Sequence, residues 1–320
     1  MRVGLLYDDI SSRPDASQDE LSILESLDAV DDAVCALGHT PVWIPVPARL
    51  DHWIELLAQS SLDVVFNLFE GVGGDSVNEV RVAGIVELLG LPMTGCTAET
   101  LGLARRKDRI NALLRDAGLP VPDWSCVQVS HRKLYWDRFP AIVKPAAEDA
   151  SIGITQKSVA RNRRELARAI DAAERFDRVV VQHFIEGREF NVGMVGNVLL
   201  PVNEIDFSRM PAGAWPMLSY AAKWEIGSPE DVGSEPHCPA AIPDDKRDLL
   251  HDLAFQAWRV AEGRGYGRVD FRMNDAGQVF ILEVNPNPDI APGAGLARMA
   301  RAHGWDYAGL IQHILAEGLK

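Results

Sequence analysis

FILEVNPNPDIAP, residues 280–292, decides how this chain is read. It opens as an apolar strand, sets Glu283 and Asn285 two residues apart, and then meets Pro286, Pro288 and Pro292. Side chains two apart on a strand share a face, and proline cannot extend an interior ladder. A carboxylate and an amide therefore stand together where the strand must stop. Two readings fit this stretch alone: turn chemistry at a strand end, or a pair of oxygen donors for a cation.

The preceding segment supplies the partner strand. GRVDFRM (267–273) and QVFILEVN (278–285) flank NDAG (274–277) and predict a hairpin. With NDAG as a four-residue loop, Met273 faces Gln278, Asp270 faces Ile281 and Arg268 faces Glu283. Arg268, Asp270, Glu283 and Asn285 then share one side, and Val269, Phe271, Phe280, Leu282 and Val284 form the core side. Three oxygen-bearing side chains beside an arginine suit a hard cation that shares its shell with phosphate oxygens, the arginine countering charge on a transferring phosphoryl group. A solvated polar face balanced by Arg268 is the competing account.

Outward from the hairpin, the chain reads as an ordinary soluble globular protein. Of its 320 residues 47% are hydrophobic and 24% charged, and the formal net charge is −14. That acidity argues against a nucleic-acid backbone as partner. Cys35, Cys96, Cys126 and Cys238 are widely spaced, with no CxxC pair and no zinc-finger histidine spacing, which fits thiols in a reducing compartment. The opening MRVGLLYDDI has too short an apolar core for a signal peptide, and no window resembles a transmembrane helix, so a cytoplasmic location without membrane contact is expected.

Strands and helices alternate in the first third. RVGLLYDD, HTPVWIPV and SLDVVFNLF read as strands; Leu21, Leu24, Leu27, Val30, Val34 and Leu37 predict a helix over 19–37, stopped by Gly38. Further helices are expected near 51–59 and 78–89, and the unit closes near residue 95. This alternation predicts an α/β fold with a parallel sheet. A helix near 106–117, AIVKPA, a helix near 162–176 and VVVQHFIEG follow. EFNVGMVGN reads as a hairpin with a Gly-Asn turn, LLPVNEIDF as its continuation. Residues 208–240, rich in Pro, Gly, Ser and Trp, predict a long functional loop. Helices near 244–262 and from about 306 complete the chain.

Two other stretches carry chemistry. FPAIVKPAAEDASIGIT sets Lys144 at a strand end ahead of a small-residue loop holding Ser151 and Gly153. Such loops bring main-chain N–H groups to phosphate, and lysine adds a point charge; an exposed strand-end lysine is the plainer account. Neither GxxxxGK[ST] nor GxGxxG occurs. In VVVQHFIEGREFNV, Gln182 and the main chain of Phe184 and Ile185 sit where two units join, a favoured place for a nucleotide. Glu189 fits a ribose, or a surface ion pair with Arg188.

Lys107 ahead of LLRDAGLPVP, then AIVKPAAEDASIGI, VVVQHFIEGREFNV, LPVNEI, YAAKWE, GRVDFRM and FILEVNPNP occur in an order that resembles the ATP-grasp superfamily, and within it the D-alanine–D-alanine ligases. The resemblance runs from about residue 60 to the end. It implies a Rossmann-like parallel-sheet N-terminal domain (1–95) followed by a two-domain, α+β ATP-grasp fold (96–187 and 188–320), with a mobile loop at about 208–240. It implies ATP with Mg2+ or Mn2+, small-molecule carboxylate and amine substrates joined through an acyl phosphate, and a homodimer. Lys107 and Lys144 match phosphate-contacting lysines, and Lys223 the lysine of the mobile loop. Gln182 stands at the acidic position that reads the adenine amino group, beside Phe184 and Ile185, and Glu189 matches the ribose carboxylate. Arg268 matches the catalytic arginine, and Asp270, Glu283 and Asn285 the metal ligands. Ser151 matches a serine that the family joins to a tyrosine and an N-terminal glutamate.

The substrate side departs from the family. Ala150 replaces the first of two serines, Trp224 the tyrosine, Glu70 the histidine of a His-Gly motif (followed by Gly73, Gly74 and Asp75), and Ala294 a carboxylate-binding serine. Asp19 and Glu20 are the candidates for the early glutamate. A site that loses its substrate hydrogen bonds discriminates against that substrate. The expected activity is therefore ligation of substrates other than two D-alanines, Glu70 suggesting a cationic group and Trp224 a larger acceptor. Two alternatives stand beside it: a genuine D-alanine–D-alanine ligase with a divergent acceptor site, and an inactive ATP-binding protein acting through a partner.

Overall fold

A computed structural model describes residues 1–10, 18–47, 50, 52–71, 75–131 and 134–320. The opening strand β1 (Arg2–Asp8) buries Val3, Leu5 and Leu6 on both faces, as a central parallel strand must. It lies between β2 (Thr40–Val46) and β3 (Val64–Asn67), both parallel to it. Helix α1 (Gln18–Ala36) links β1 to β2 and α2 (Trp53–Ala58) links β2 to β3; α3 (Val77–Leu88) follows. Gly38, at φ 76°, ends α1 as its position predicts.

After α4 (Ala98–Ala104) and α5 (Lys107–Asp116) come β4 (Trp124–Gln128), β5 (Ala141–Pro145), β6 (Val159–Ala160), α6 (Arg163–Ala172) and β7 (Arg178–His183). These strands form an antiparallel sheet in the order β4-β7-β5-β6. Asn162 caps α6 by accepting from the N–H groups of Arg164 and Glu165. The helix then lays Leu166, Ala169 and Ile170 on the sheet, in a core of its own with Val143, Val179 and Val181.

The third sheet begins with β8 (Arg188–Val195) and β9 (Val198–Leu199), joined by the expected Gly196-Asn197 turn, Gly196 at φ 56°. The chain continues through β10 (Asn203–Asp206), α7 (Tyr220–Trp224), α8 (Pro229–Val232), β11 (Glu235–His237), α9 (Asp244–Val260), β12 (Tyr266–Met273), β13 (Val279–Pro286), α10 (Gly295–His303) and α11 (Tyr307–Gly318). Strand order is β11-β10-β8-β12-β13, every neighbouring pair antiparallel. Helix α9 packs Leu250, Leu253, Ala254, Ala257 and Trp258 beside Phe190, Val269 and Phe271. That same core reaches Leu6, Val65 and Val82 of the first sheet, so the first and last sheets share packing. We propose the divisions 1–95, 96–187 and 188–320 as structural units on the ground that each holds one sheet. No helix among the described residues is long and apolar enough to cross a membrane.

The hairpin register differs from the expectation. Arg268 lies opposite Asn285 and Asp270 opposite Glu283, and the register slips between Asp270 and Phe271, which pairs with Ile281. A β-bulge at Leu282 absorbs the extra residue. The shift of two residues keeps Arg268, Asp270, Glu283 and Asn285 together. Beyond the bulge, however, the faces exchange: Ile281 and Val279 enter the core, while Leu282 turns toward the cleft instead of joining the core side.

Phe271 is fully buried in this shared core. Its replacement by Ala is expected to cost about 3–5 kcal/mol in urea denaturation. Leu88→Ala, at a side chain 86% exposed, should change stability by less than about 0.5 kcal/mol.

Candidate active site

The cleft between the second and third sheets gathers the residues that the sequence singled out. Ile142, Phe184, Ile185, Met217 and Leu282 give it apolar walls; Lys144, Ser151, Gln182, Glu189, Lys223, Asp270 and Glu283 give it polar ones. Phe184 and Ile185 follow the end of β7 at the connection to β8. The N–H of Phe184 donates to the carbonyl of Pro140 at 2.9 Å, which ties the connection to the second sheet. Gln182 is 2% exposed, and its Oε1 accepts from Lys144 Nζ at 3.2 Å. That oxygen keeps a second lone pair for a further donor.

At the other end lies a dense charged cluster. Lys107, the first residue of α5, is 8% exposed. Its Nζ donates to the carbonyl of Glu148 at 2.5 Å and to Asp149 Oδ1 at 2.9 Å, and meets Glu283 Oε1 at 2.5 Å. Burial lowers the Lys107 ammonium, but Asp149 and Glu283 outweigh it and hold the group above the usual lysine value. For Glu283, burial raises the carboxyl, and Lys107, Lys144 and Lys223 bring it down to about 2. Lys144 is pushed the other way, below the ordinary lysine value, by burial and then by Lys107 and Arg272 against the opposing Glu283 and Glu189. A bound polyanion would relieve Lys144, as phosphate groups do at such lysines.

Asp270 holds Arg268 in a two-pronged grip, Nε to Oδ1 at 2.7 Å and Nη2 to Oδ2 at 2.9 Å. Asn191 Nδ2 and Asn285 Nδ2 each donate to the same carboxylate at 2.8 Å. The Asn285 amide is thereby oriented, its oxygen turned away from Asp270. Among the described residues no three His, Cys, Asp or Glu side chains form a metal cluster. The donor set here is two carboxylates and an amide oxygen, with Glu283 firmly ionised. Such a set fits magnesium or manganese sharing oxygens with a substrate phosphate.

Glu189 is 7% exposed and pairs with Arg272 at 2.8 Å, not with Arg188, which grips Glu204. Adjacent strand residues face opposite sides, which separates Glu189 from Arg188. Asp75 lies at the surface, accepting from the N–H of Val77 and near Arg81, and lines neither cavity. Ala294 is the N-terminal cap of α10 and also lines neither. Glu70 lines a second cavity beside the first sheet. Gly73 and Gly74 lie outside the described residues, as do the side chains of Asp19 and Glu20.

The segment 208–240 lies against the small-residue loop. Ser151 Oγ donates to the carbonyl of Leu218 and Trp224 Nε1 to that of Ala150, both at 2.9 Å, and the N–H of Tyr220 donates to Ile154. Trp215 and Met217 are buried with Phe184 and Ile142. Lys223, in α7, is exposed and lines the cleft.

The sequence did not assign Arg272, Leu282 and Met217 to the cleft. Arg272 is 2% exposed; besides Glu189 it donates to the carbonyls of Gly187 and Pro216, joining the inter-sheet connection, β8 and the 208–240 segment. Its signal was present: Arg268, Asp270 and Arg272 alternate along one strand.

The sequence profile "D-ala D-ala ligase C-terminus" matches residues 113–316. The chain belongs to the D-alanine–D-alanine ligase family. Membership makes it an ATP-grasp enzyme, a carbon–nitrogen ligase that uses ATP. A D-alanine–D-alanine ligase of Sphingopyxis alaskensis is 33% identical over 313 residues, 95% of each chain. An uncharacterized protein, y4sG, of Sinorhizobium fredii is 32% identical over 81% of this chain and 75% of its own. In fold, the chain superimposes on a D-alanine–D-alanine ligase from Bacillus anthracis complexed with ATP, with a TM-score of 0.80 and 20% identity, over 100% of this chain and 97% of that one.

The ionised Glu283 gives a pH test. Its folded-state value, about 2, lies below that of an unfolded glutamate, about 4.3. Its contribution to stability is complete above that unfolded value and is lost as pH falls toward 2. In chelator-treated buffer, Glu283→Gln should show a flatter decline of the urea midpoint than wild type between about pH 5 and pH 2. Parallel declines would contradict the ion pair.

Proposed function

We propose that the chain joins a small-molecule carboxylate to an amine through an acyl phosphate, at the expense of ATP, and that its substrates are not two D-alanines. The observation that carries this reading is the convergence of Lys107, Lys144, Lys223 and Arg268 on the Asp270–Glu283–Asn285 face at one cleft. A nucleotide base would lie between Ile142, Phe184, Met217 and Leu282, and Glu189 would face the ribose. Lys107 and Lys144 would contact phosphates, with Lys223 closing from the 208–240 segment. Asp270, Glu283 and Asn285 would hold magnesium or manganese, which supplies positive charge to the phosphate oxygens.

The substrate carboxylate oxygen attacks the terminal phosphorus, forming the oxygen–phosphorus bond of an acyl phosphate, a mixed anhydride, as the bond to ADP breaks. The amine nitrogen then attacks the acyl carbon and loses a proton, and phosphate leaves with the electrons of the broken carbon–oxygen bond. Arg268 is well suited to the first step: its guanidinium is fixed in plane by Asp270 and meets the growing charge without reorganising. The seated 208–240 segment would keep water from the acyl phosphate.

Substrate choice rests on departures that remain local. Trp224 can only donate a hydrogen bond and gives it to Ala150, while Ser151 gives its proton to Leu218. Neither group is arranged to pass a proton to a substrate. A second reading, formation of D-alanyl-D-alanine, is supported by the name of the Sphingopyxis alaskensis relative.

Phosphate release with magnesium-ATP, screened over carboxylate and amine pairs, tests both. Release that needs both partners and an amide detected by mass are expected, with slow turnover of D-alanine alone; rapid D-alanine turnover selects the second reading. Arg268→Met should lower kcat by about 10²–10³-fold, and an unchanged kcat would remove Arg268 from the mechanism.

A further inference from the structure

Arg272 stands where a charge is expensive. It is 2% exposed, and a buried ion pair is often no more stabilising than apolar side chains packed in its place. The register sets Arg272 directly opposite Glu189 across β12 and β8, so the two share the face that lines the cleft. Its Nη2 meets Glu189 Oε2 at 2.8 Å. The same guanidinium donates from Nη1 to the carbonyl of Gly187 at 2.9 Å and from Nη2 to that of Pro216. One planar fork thus holds a carboxylate and two main-chain carbonyls from different parts of the chain, which the point charge of a lysine would not do.

The two carbonyls that hold the fork are themselves fixed. Gly187 has φ 133°, and a Cβ there would collide with the carbonyl of Met273, so the inter-sheet connection lies tight against β12. Pro216 sits between Trp215 and Met217, which are buried with Phe184 and Ile142. The guanidinium carbon also lies 5.4 Å from the centre of the Phe184 ring and 5.2 Å from that of Phe207. Glu189 differs from these holders because its carboxylate lines the cleft. Burial raises that carboxyl above its ordinary value, and Arg272 is the foremost group acting to lower it. Arg272 therefore sets where this carboxylate points and favours its ionised form.

We propose that Arg272 is a positioning residue for the nucleotide: it acts through Glu189, aiming that carboxylate at the ribose hydroxyls, and is itself held in place by the carbonyls of Gly187 and Pro216. The inference rests on the ATP reading of the cleft, which puts the ribose at Glu189. An ionised carboxylate accepts from a sugar hydroxyl in a charge-assisted bond, and such a bond adds most to affinity where its acceptor is already oriented. The fork supplies that orientation before the nucleotide arrives.

Calorimetry on the full chain with magnesium and ADP, 2′-deoxy-ADP or 3′-deoxy-ADP tests the assignment. The wild type should bind ADP about 10- to 100-fold more tightly than the weaker deoxy analogue, the range of a charged hydrogen bond. Arg272→Met should bring ADP down to the level of that analogue and leave the analogue's own affinity in place, which also shows that the variant folds. Glu189→Gln should narrow the discrimination too, and adding Arg272→Met to it should narrow it no further, because groups that act as one unit are not additive. Should Arg272→Met fail to fold, Arg272→Lys, which keeps a cation without the fork, replaces it and should also narrow the discrimination. Equal loss of affinity for all three nucleotides, discrimination that is absent from the wild type or unaltered in the variants, or additive losses in the double variant overturn the assignment. A wild type that binds no ADP overturns both the assignment and the nucleotide reading. ADP formation with magnesium-ATP is scored separately: its absence with every carboxylate–amine pair counts against the ligase reading alone.

Discussion

The contact between Lys107 and Glu283 sets the terms for the rest of the cleft. It brings together the start of α5, the loop after β5 and the strand β13, three pieces far apart in sequence. Two charges removed from water are costly unless each keeps a partner. Lys107 has Asp149 as well as Glu283, so a metal reaching Glu283 and a phosphate reaching Lys107 can exchange partners without stranding either charge. The nucleotide with its metal is a ligand that supplies both at once. The same reasoning explains why Lys144, whose neighbours include two further cations, is the lysine whose charge is least well supported by the protein itself.

Arg268, Asp270 and Arg272 show how one strand serves two tasks. All three project from one side of β12, yet Arg268 is held by Asp270 while Arg272 reaches Glu189 and the carbonyls of Gly187 and Pro216. The first pair fixes a planar cation in place. The second ties the inter-sheet connection to the 208–240 segment and, through Glu189, to the place expected for a sugar. The strand thus joins the cleft-lining Glu189 to the 208–240 segment, through contacts that are buried and charge-assisted.

Much of this was legible in the sequence because it follows from periodicity. The alternating faces of GRVDFRM and FILEVN put Arg268, Asp270, Glu283 and Asn285 together under either register, since a slip of two residues leaves every side chain on its own face. The bulge at Leu282 was not legible. One extra residue reverses inward and outward beyond it, and no residue type there demands it, so Leu282 was assigned to the core although it lines the cleft. The partner of Glu189 was hidden for a related reason: its sequence neighbour Arg188 projects from the opposite face, and its true partner is on β12. Helix α10 passed unnoticed behind its Pro-Gly-Ala-Gly lead-in, although Leu296, Ala297, Met299 and Ala300 bury one side of it.

The departures on the substrate side acquire a common physical meaning from the structure. Ala150 and Ser151 both have positive φ, 52° and 61°, a conformation that costs energy for residues with a side chain. The bonds from Trp224 to Ala150 and from Ser151 to Leu218 hold that loop against α7 and its lead-in. These groups are directed at main-chain carbonyls. The chain along and just past β13 passes from one charged environment to another: Glu283 meets Lys107 and lines the cleft, and Asn287 lines a second cavity rimmed by Glu70 and Asp289. A backbone running in extended steps of about 7 Å per two residues thus sets an acidic cavity beside a lysine-rich cleft.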